Sequence, residues 1–201
     1  MPLNTNFSFN QHVDVESNEI TAVDLLSLIE RPGMDSLIDY LLTSDYFTAP
    51  ASTRYHNVFE GGLCQHSLNV TREFSKENAK WQKPLPQDSV VICGLLHDLC
   101  KVGAYIETDY GCASVKGQKR HAMVSVSRIN EHIQLTQQED DIIRYHMGFF
   151  GIFTYHEHDT LAMYKAISRT PQVQIFGAID MADSKRNPDK RQQGEQQGRR
   201  V

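Results

Sequence analysis

The stretch Leu95-Leu96-His97-Asp98-Leu99-Cys100-Lys101 decides how the rest of the chain is interpreted. It ends an apolar run that begins at Val90, and such a run is typical of a helix inside a core. A polar or charged group that is buried without a partner costs several kcal/mol, so the adjacent imidazole and carboxylate need partners. A divalent metal ion is one solution, because neutral imidazole and carboxylate are both good ligands. A hydrogen-bonded His97–Asp98 pair that caps a structural helix is the other.

Composition is that of a globular protein. The 201 residues, 40% hydrophobic and 22% charged, suit one domain with a single sizeable core. The net charge of −5 argues against nucleic-acid binding through bulk positive charge, but not against a metal site that handles phosphates. No apolar run approaches the ~18–20 residues that span a bilayer, and the N-terminus lacks signal-peptide features, so we expect no membrane partner. The four cysteines include no C-x-x-C pair, and a disulfide framework is not expected at this size, so we expect a reducing, cytoplasmic setting.

Apolar periodicity predicts an all-α fold, a compact bundle of about seven or eight helices. The predicted helices span residues 20–30, 34–42, 63–74, 90–98, 121–133, 137–147, 161–167 and 173–181. Thr136, followed three positions later by Glu139, predicts a capping box. Residues 103–117 are the exception, because two β-prone stretches around Asp109-Tyr110-Gly111 predict one short β-hairpin. Residues 1 to about 19 are polar and predict a loose arm.

Three of the predicted helices bring ionisable groups to an apolar face. His66 lies on one, His97 and Asp98 end a second, and Asp180 and Asp183 share a face of a third. One buried histidine is usually structural, but three such helices in one core are expected only where the groups converge. Nine histidines in the chain are a further hint of metal chemistry. Two imidazoles and two carboxylates suit Mn²⁺, Fe²⁺, Co²⁺, Ni²⁺ or Zn²⁺ in a site with open positions better than a closed structural zinc.

Four segments together resemble the HD superfamily of metal-dependent phosphohydrolases, which is named for its His-Asp pair. They are GGLCQHSL at 61–68, LLHDLCK at 95–101, IIRYHMG at 142–148 and IDMADSK at 179–185. Cys100 stands where the family motif usually has glycine, and Met147 where some members have a second histidine. The loop Arg54-Tyr55-His56 is most similar to HD-type 3′–5′ exoribonucleases and their relatives, although no accompanying nucleic-acid-binding domain precedes it.

The resemblance implies a division of the chain into three parts. Residues 46–186 would form the HD phosphohydrolase domain. Residues 1–45 would be an arm and helices that pack on its core. Residues 187–201 lack hydrophobic residues except the final valine, and their composition predicts a disordered polar tail.

Position by position, the resemblance also implies roles for individual residues. The metal ligands would be His66, His97, Asp98 and Asp180, with Asp183 as the alternative for the last. His121 and His146 would hold a second ion, which Asp98 bridges. Asp98 and Lys101 would be the catalytic residues, and the substrate would be bound by Lys101, Arg54 and Asp183.

The activity implied by the resemblance is hydrolysis of a phosphate ester by metal-activated water, as a phosphomonoesterase or a phosphodiesterase. The substrate would be a nucleotide, another small phosphate ester or an RNA 3′ end, and the cofactor one ion or two, with Mg²⁺ as a further candidate. No serine or cysteine nucleophile is required, and Cys100 is interpreted as a packing residue. The departures at Cys100 and Met147 keep an alternative open: a metal-binding HD module with little catalysis, acting as a nucleotide sensor or interaction platform. Substrate, metal identity and oligomeric state stay open.

Overall fold

Helices dominate the computed structural model, which describes residues 13–52, 59–108, 111–114, 121–148 and 160–185. Within these residues there are eight α-helices and one short 3₁₀ helix. The α-helices are α1 Val15–Ser27, α2 Met34–Thr43, α3 Gly62–Asn78, α4 Gln87–Leu96, α5 His121–Asn130, α6 Gln137–Tyr145, α7 Thr160–Arg169 and α8 Gln172–Lys185. The 3₁₀ helix, Leu99–Lys101, follows directly after the His-Asp pair. The all-α expectation is therefore confirmed.

Local capping explains where two of the helices begin. Helix α1 begins at Val15, before the predicted start, because the side chain of Asp14 accepts a hydrogen bond from the backbone N–H of Ser17 at 3.0 Å. The prediction of a loose arm up to about residue 19 is wrong for residues 15–19. The predicted capping box is confirmed, since Thr136 and Glu139 each accept the other's backbone N–H, at 3.3 and 2.7 Å.

Two short strands lie between α4 and α5. They are β1 Tyr105–Thr108 and β2 Gly111–Ser114, and they pair antiparallel with Tyr105 opposite Ser114 and Thr108 opposite Gly111. The turn of the predicted hairpin, residues 109–110, lies outside the described residues, so a complete hairpin stays a prediction.

The core is built around α4, whose residues 89–96 are all buried. A helix that is buried on every side must be surrounded by other elements, and α3 packs along it. Helix α3 also packs against α8, and α6 packs against both α4 and α8. Apolar residues of α1 and α2, including Leu26 and Leu37, belong to the same buried cluster as Leu63 of α3. None of the described helices is long and apolar enough to cross a bilayer.

Two glycines allow these helices to approach closely. A Cβ atom on Gly94 of α4 would lie 2.2 Å from the hydroxyl oxygen and 2.6 Å from the Cα of Thr71 on α3. A Cβ atom on Gly177 of α8 would lie 2.4 Å from the carbonyl oxygen of His146, just after α6. Real Cβ contacts are longer than this, so any side chain at either position would push helices apart. Because glycine has no side chain at these two positions, the helices that carry the predicted ligands can pack close together.

Candidate metal centre

Three buried histidines from different parts of the chain meet in the core. His66 lies in α3, while His97 and His146 directly follow the last residues of α4 and α6. The ring centroids of His66 and His97 are 5.3 Å apart, and those of His97 and His146 are 5.1 Å apart. The convergence expected of His66 and His97 is therefore present, and His146 joins them.

Two aspartates face these imidazoles. His66 Nε2 lies 3.1 Å from Asp180 Oδ1 and 3.8 Å from Asp98 Oδ2. His97 Nε2 lies 3.5 Å from Asp98 Oδ2 and 3.7 Å from Asp180 Oδ1. One ligand atom each from His66, His97 and Asp98 lie within 4.8 Å of one another, so this buried group could hold a metal ion. The donor set does not identify the ion, because several divalent metals accept nitrogen and oxygen ligands.

The three histidines present the same nitrogen to the aspartates. Each Nδ1 donates a hydrogen bond to an acceptor behind the ring: Asp183 Oδ2 at 2.7 Å for His66, Gly94 O at 3.0 Å for His97 and Ile143 O at 2.6 Å for His146. Carboxylate and carbonyl oxygens only accept, so Nδ1 carries a hydrogen in all three rings. The Nε2 atoms, which face the aspartates, are then the atoms that can bind a metal. Metal-binding imidazoles are typically held in this way.

One buried atom of the cluster makes no hydrogen bond. Among the described residues, Nε2 of His97 is fully buried and makes no hydrogen bond. Its nearest carboxylate oxygens, at 3.5 and 3.7 Å, are beyond the usual hydrogen-bonding range. A buried polar atom without a partner costs about 1–3 kcal/mol, which few native positions tolerate without a reason. A metal ion bound between His97, His66 and the two aspartates would supply the missing partner, so the residues fit such an ion.

The charges of the cluster are strongly coupled. Burial opposes ionisation of Asp98, but Lys101, whose Nζ lies 2.6 Å from Asp98 Oδ2, and then His97 outweigh it and hold the pKa of this carboxyl well below its usual range. Burial alone would lower the pKa of His97, but the carboxylates of Asp98 and Asp180 raise it to about 10. Because a metal binds only the deprotonated imidazole nitrogen, metal binding here must release protons.

The side chains of the cluster differ in their exposure to solvent. The side chains of His66 and His97 are completely buried, whereas those of Asp180 and Lys101 are 16% and 14% exposed. Asp180 and Lys101 are therefore the cluster side chains with the most contact with solvent.

The turn that carries Asp98 and Lys101 is fixed from α5. Arg128 donates to the carbonyl oxygens of Leu99 and Val102 at 2.9 and 2.7 Å. The hydroxyl of Ser125 accepts from the backbone N–H of Cys100 at 3.0 Å. Neither Arg128 nor Ser125 was identified from the sequence, and a single arginine or serine on a helix gives no local signal of this role.

The residues expected to hold a second ion are placed differently from each other. His146 Nε2 lies 3.9 Å from Asp98 Oδ1, the oxygen that does not face His66 and His97. His121, at the start of α5, has its Nδ1 3.9 Å from the sulfur of Cys100. The compact group of three ligand atoms includes neither of these two histidines.

The positions that depart from the family motif lie at the edge of the cluster. Cys100 is buried, and burial followed by the charge of Asp98 raises the pKa of its thiol to about 12. The thiol is therefore protonated at neutral pH, as expected of a packing residue and not of a nucleophile. Met147 is partly exposed directly after His146. Arg54, the predicted phosphate contact, lies outside the described residues, as does the predicted tail.

Comparisons of the chain with protein-family models, with curated proteins and with solved structures found no match. The resemblance to the HD superfamily therefore depends on the four quoted segments.

Proposed function

We propose that this protein is a metal-dependent phosphohydrolase of the HD type. The observation that carries the proposal is the buried Nε2 of His97, which makes no hydrogen bond among the described residues and lies beside His66, Asp98 and Asp180. A structural His-Asp pair would be expected to satisfy its own hydrogen bonds, and this one does not.

The proposed metal ligands are His66, His97, Asp98 and Asp180. A divalent ion bound by them would supply a water-derived nucleophile at neutral pH and offset charge on the phosphoryl oxygens. The chain's own contribution is to aim the Nε2 atoms of both imidazoles at the position of the ion and to keep the two carboxylates ionised. Burial opposes ionisation of Asp98, but Lys101 and His97 outweigh it and hold the pKa of this carboxyl low, which keeps the carboxylate ionised.

Lys101 is the proposed phosphate contact. Its ammonium lies 2.6 Å from Asp98, and its side chain is 14% exposed. A positive charge at this point favours binding of a phosphate ester and stabilises the additional negative charge of the transition state. Arg128 and Ser125 hold the backbone of the turn from which the side chains of Asp98 and Lys101 extend.

The proposal also includes a second metal ion. The two oxygens of Asp98 face different imidazoles, since Oδ2 faces His66 and His97, and Oδ1 faces His146. Asp98, His146 and His121 would hold this second ion, which would offset further charge on a phosphoryl group. We propose a nucleotide, another small phosphate ester or an RNA 3′ end as the substrate.

The test combines metal content with turnover. Elemental analysis of the wild type should find about one or two transition-metal ions per chain, and His97→Ala and Asp98→Ala should lose them. His132→Ala is the matched control, because His132 hydrogen-bonds Ser36 away from the cluster. The metal-loaded wild type should then hydrolyse generic phosphomonoesters or phosphodiesters with added Mn²⁺.

Two results would overturn the proposal in different ways. A wild-type protein that contains no metal and cannot be loaded would return His97 and Asp98 to a structural role. A protein that binds metal stoichiometrically but hydrolyses no phosphate ester would instead favour the sensor or interaction module. The buried Cys100, in place of the motif's glycine, is the observation that keeps this second function in view.

A further inference from the structure

We infer that Asp183 is a positioning residue that fixes the tautomer and orientation of His66, and that Asp180 alone is the carboxylate of α8 that faces the metal position. This assigns a different role from the two that the sequence suggested for Asp183, an alternative ligand or a substrate contact. The inference rests on the metal-binding part of the proposed function.

The first step is the position of the two carboxylates around one imidazole. Asp183 Oδ2 lies 2.7 Å from Nδ1 of His66, and Asp180 Oδ1 lies 3.1 Å from Nε2 of the same ring. The two nitrogens point in different directions from the ring, so the two carboxylates lie on different sides of it. The Asp180 side leads on to another histidine of the cluster, since Asp180 Oδ1 is also 3.7 Å from His97 Nε2. Asp183 is thus behind the ring, in the place of an orienting acceptor.

The second step is the reason that His66 needs such an acceptor. His97 and His146 each follow the last residue of a helix, where carbonyl oxygens are without helical partners. Each therefore donates its Nδ1–H to the carbonyl three residues earlier, Gly94 or Ile143. His66 lies within α3, four residues after its first, where the preceding carbonyls are used by the helix itself. Its Nδ1–H must be accepted from outside the helix, and α8 supplies Asp183.

The third step is the strength of this contact. A hydrogen bond to a carboxylate is stronger than one to a neutral carbonyl, and it makes the imidazole a better electron donor to a metal. The side chain of Asp183 is only 9% exposed, so water competes little for it. Loss of orienting partners of this kind typically weakens metal binding 10–100-fold.

The experiment is a Co²⁺ titration of the metal-free full-length protein, followed by visible absorption. Asp183→Ala should raise the Co²⁺ dissociation constant about 10–100-fold, yet at saturation give the wild-type band positions and intensity, because the ligands are unchanged. Asp183→Asn, which keeps an oxygen acceptor, should fall between Asp183→Ala and the wild type. Asp180→Asn should alter the saturated spectrum. Asp39→Asn, an exposed aspartate on α2, is the matched control and should match the wild type.

Several outcomes would overturn the inference. A saturated spectrum of Asp183→Ala that changes as that of Asp180→Asn does would make Asp183 a ligand. An affinity within about twofold of the wild type, with only a lower unfolding midpoint of the metal-free protein, would make its role structural. If Asp183→Ala does not fold, the near-isosteric Asp183→Asn decides the same question.

This experiment tests the role of Asp183 independently of the proposed hydrolase activity, because it measures Co²⁺ binding and not turnover. A wild type that binds Co²⁺ and hydrolyses no ester would end the hydrolase proposal while the affinities still decide the role of Asp183. A wild type that binds no Co²⁺ would overturn both.

Discussion

Two buried acidic centres in this molecule have opposite bonding. Glu139 on α6 is completely buried, and its two oxygens receive four hydrogen bonds: two from Arg31, at 2.8 and 2.9 Å, one from Ser89 at 2.7 Å and one from the Thr136 N–H at 2.7 Å. Asp98, almost as buried, belongs to a cluster in which a neighbouring imidazole nitrogen makes no hydrogen bond among the described residues.

The difference between the two centres teaches that burial of a charged group does not by itself indicate function. The Glu139 centre is complete, with every lone pair that geometry allows already used, so it has nothing left to bind with. The Asp98 centre brings together three imidazoles and two carboxylates. Between them, Nε2 of His97 is left without a hydrogen bond. Incomplete bonding, not burial, marks the second centre as the functional candidate.

The largest expected effect is on activity at the incomplete centre. Asp98→Asn should lower phosphate-ester turnover by about ten-thousand-fold or more, equivalent to about 5.4 kcal/mol of transition-state stabilisation, because it removes the charge that binds the ion. Glu139→Gln is the same chemical change at the complete centre and should leave turnover per folded molecule within about twofold. Steady-state kinetics normalised to the folded fraction measures both. Equal losses in the two variants would erase the distinction between the centres.

The next effect is on stability at the complete centre. Glu139→Ala should lower the free energy of unfolding by roughly 3–5 kcal/mol, because it leaves the guanidinium of Arg31 without its partner and removes a helix cap. Urea unfolding followed by circular dichroism measures the change. Glu131→Ala, on the exposed turn after α5, is the control and should stay within about 0.5 kcal/mol of the wild type. A loss below about 1 kcal/mol would show that the four hydrogen bonds contribute little.

A smaller effect is expected where α3 and α4 make closest contact. Gly94→Ala should destabilise the protein by about 1–3 kcal/mol, because the new methyl group meets the backbone of Thr71 and forces the helices apart. Since these helices carry His66 and His97, Co²⁺ affinity should fall as well. Gln87→Ala, at the exposed start of α4, provides the comparison. Unchanged Co²⁺ affinity in Gly94→Ala would show that the cluster tolerates a change in helix spacing.

The smallest effect is the acid response of the complete centre. Burial opposes ionisation of Glu139, but hydrogen bonds from Arg31, Thr136 and Ser89 hold its pKa below the ordinary value of 4.5. The folded state therefore favours the ionised form, and this stabilisation is present above about pH 4.5 and is lost as the pH falls through the folded-state pKa. The stability difference between the wild type and Glu139→Gln, measured by urea unfolding from pH 7 to pH 3, should shrink in acid. A difference independent of pH would contradict the assigned charge.

Much of the helical layout was predictable because it depends on local signals. Apolar periodicity located the helices, and the Thr136–Glu139 pair predicted the start of α6 correctly. The convergence of His66, His97 and Asp98 was predictable as well, since polar groups on the apolar faces of packed helices have to meet. The early start of α1 was missed because Asp14, its cap, lies in a polar stretch that otherwise suggests an irregular arm.

The remaining features depend on contacts between residues far apart in sequence. Arg31 and Glu139 are 108 positions apart, and no local pattern connects them. Asp180 and Asp183 could not be told apart from spacing alone, because two carboxylates three positions apart on a helix face the same way. Their different distances to the two nitrogens of His66 separate them.

The contact between His66 and Asp183 has a consequence for the order of folding. It joins residues 117 positions apart, so closing this long loop costs more entropy than a local contact does. During synthesis, α3 and α4 leave the ribosome well before α8, and the first half of the centre exists for a time without Asp180 and Asp183. We therefore expect tight metal binding to develop late in folding. A chain that retains its metal would then be one whose fold is complete.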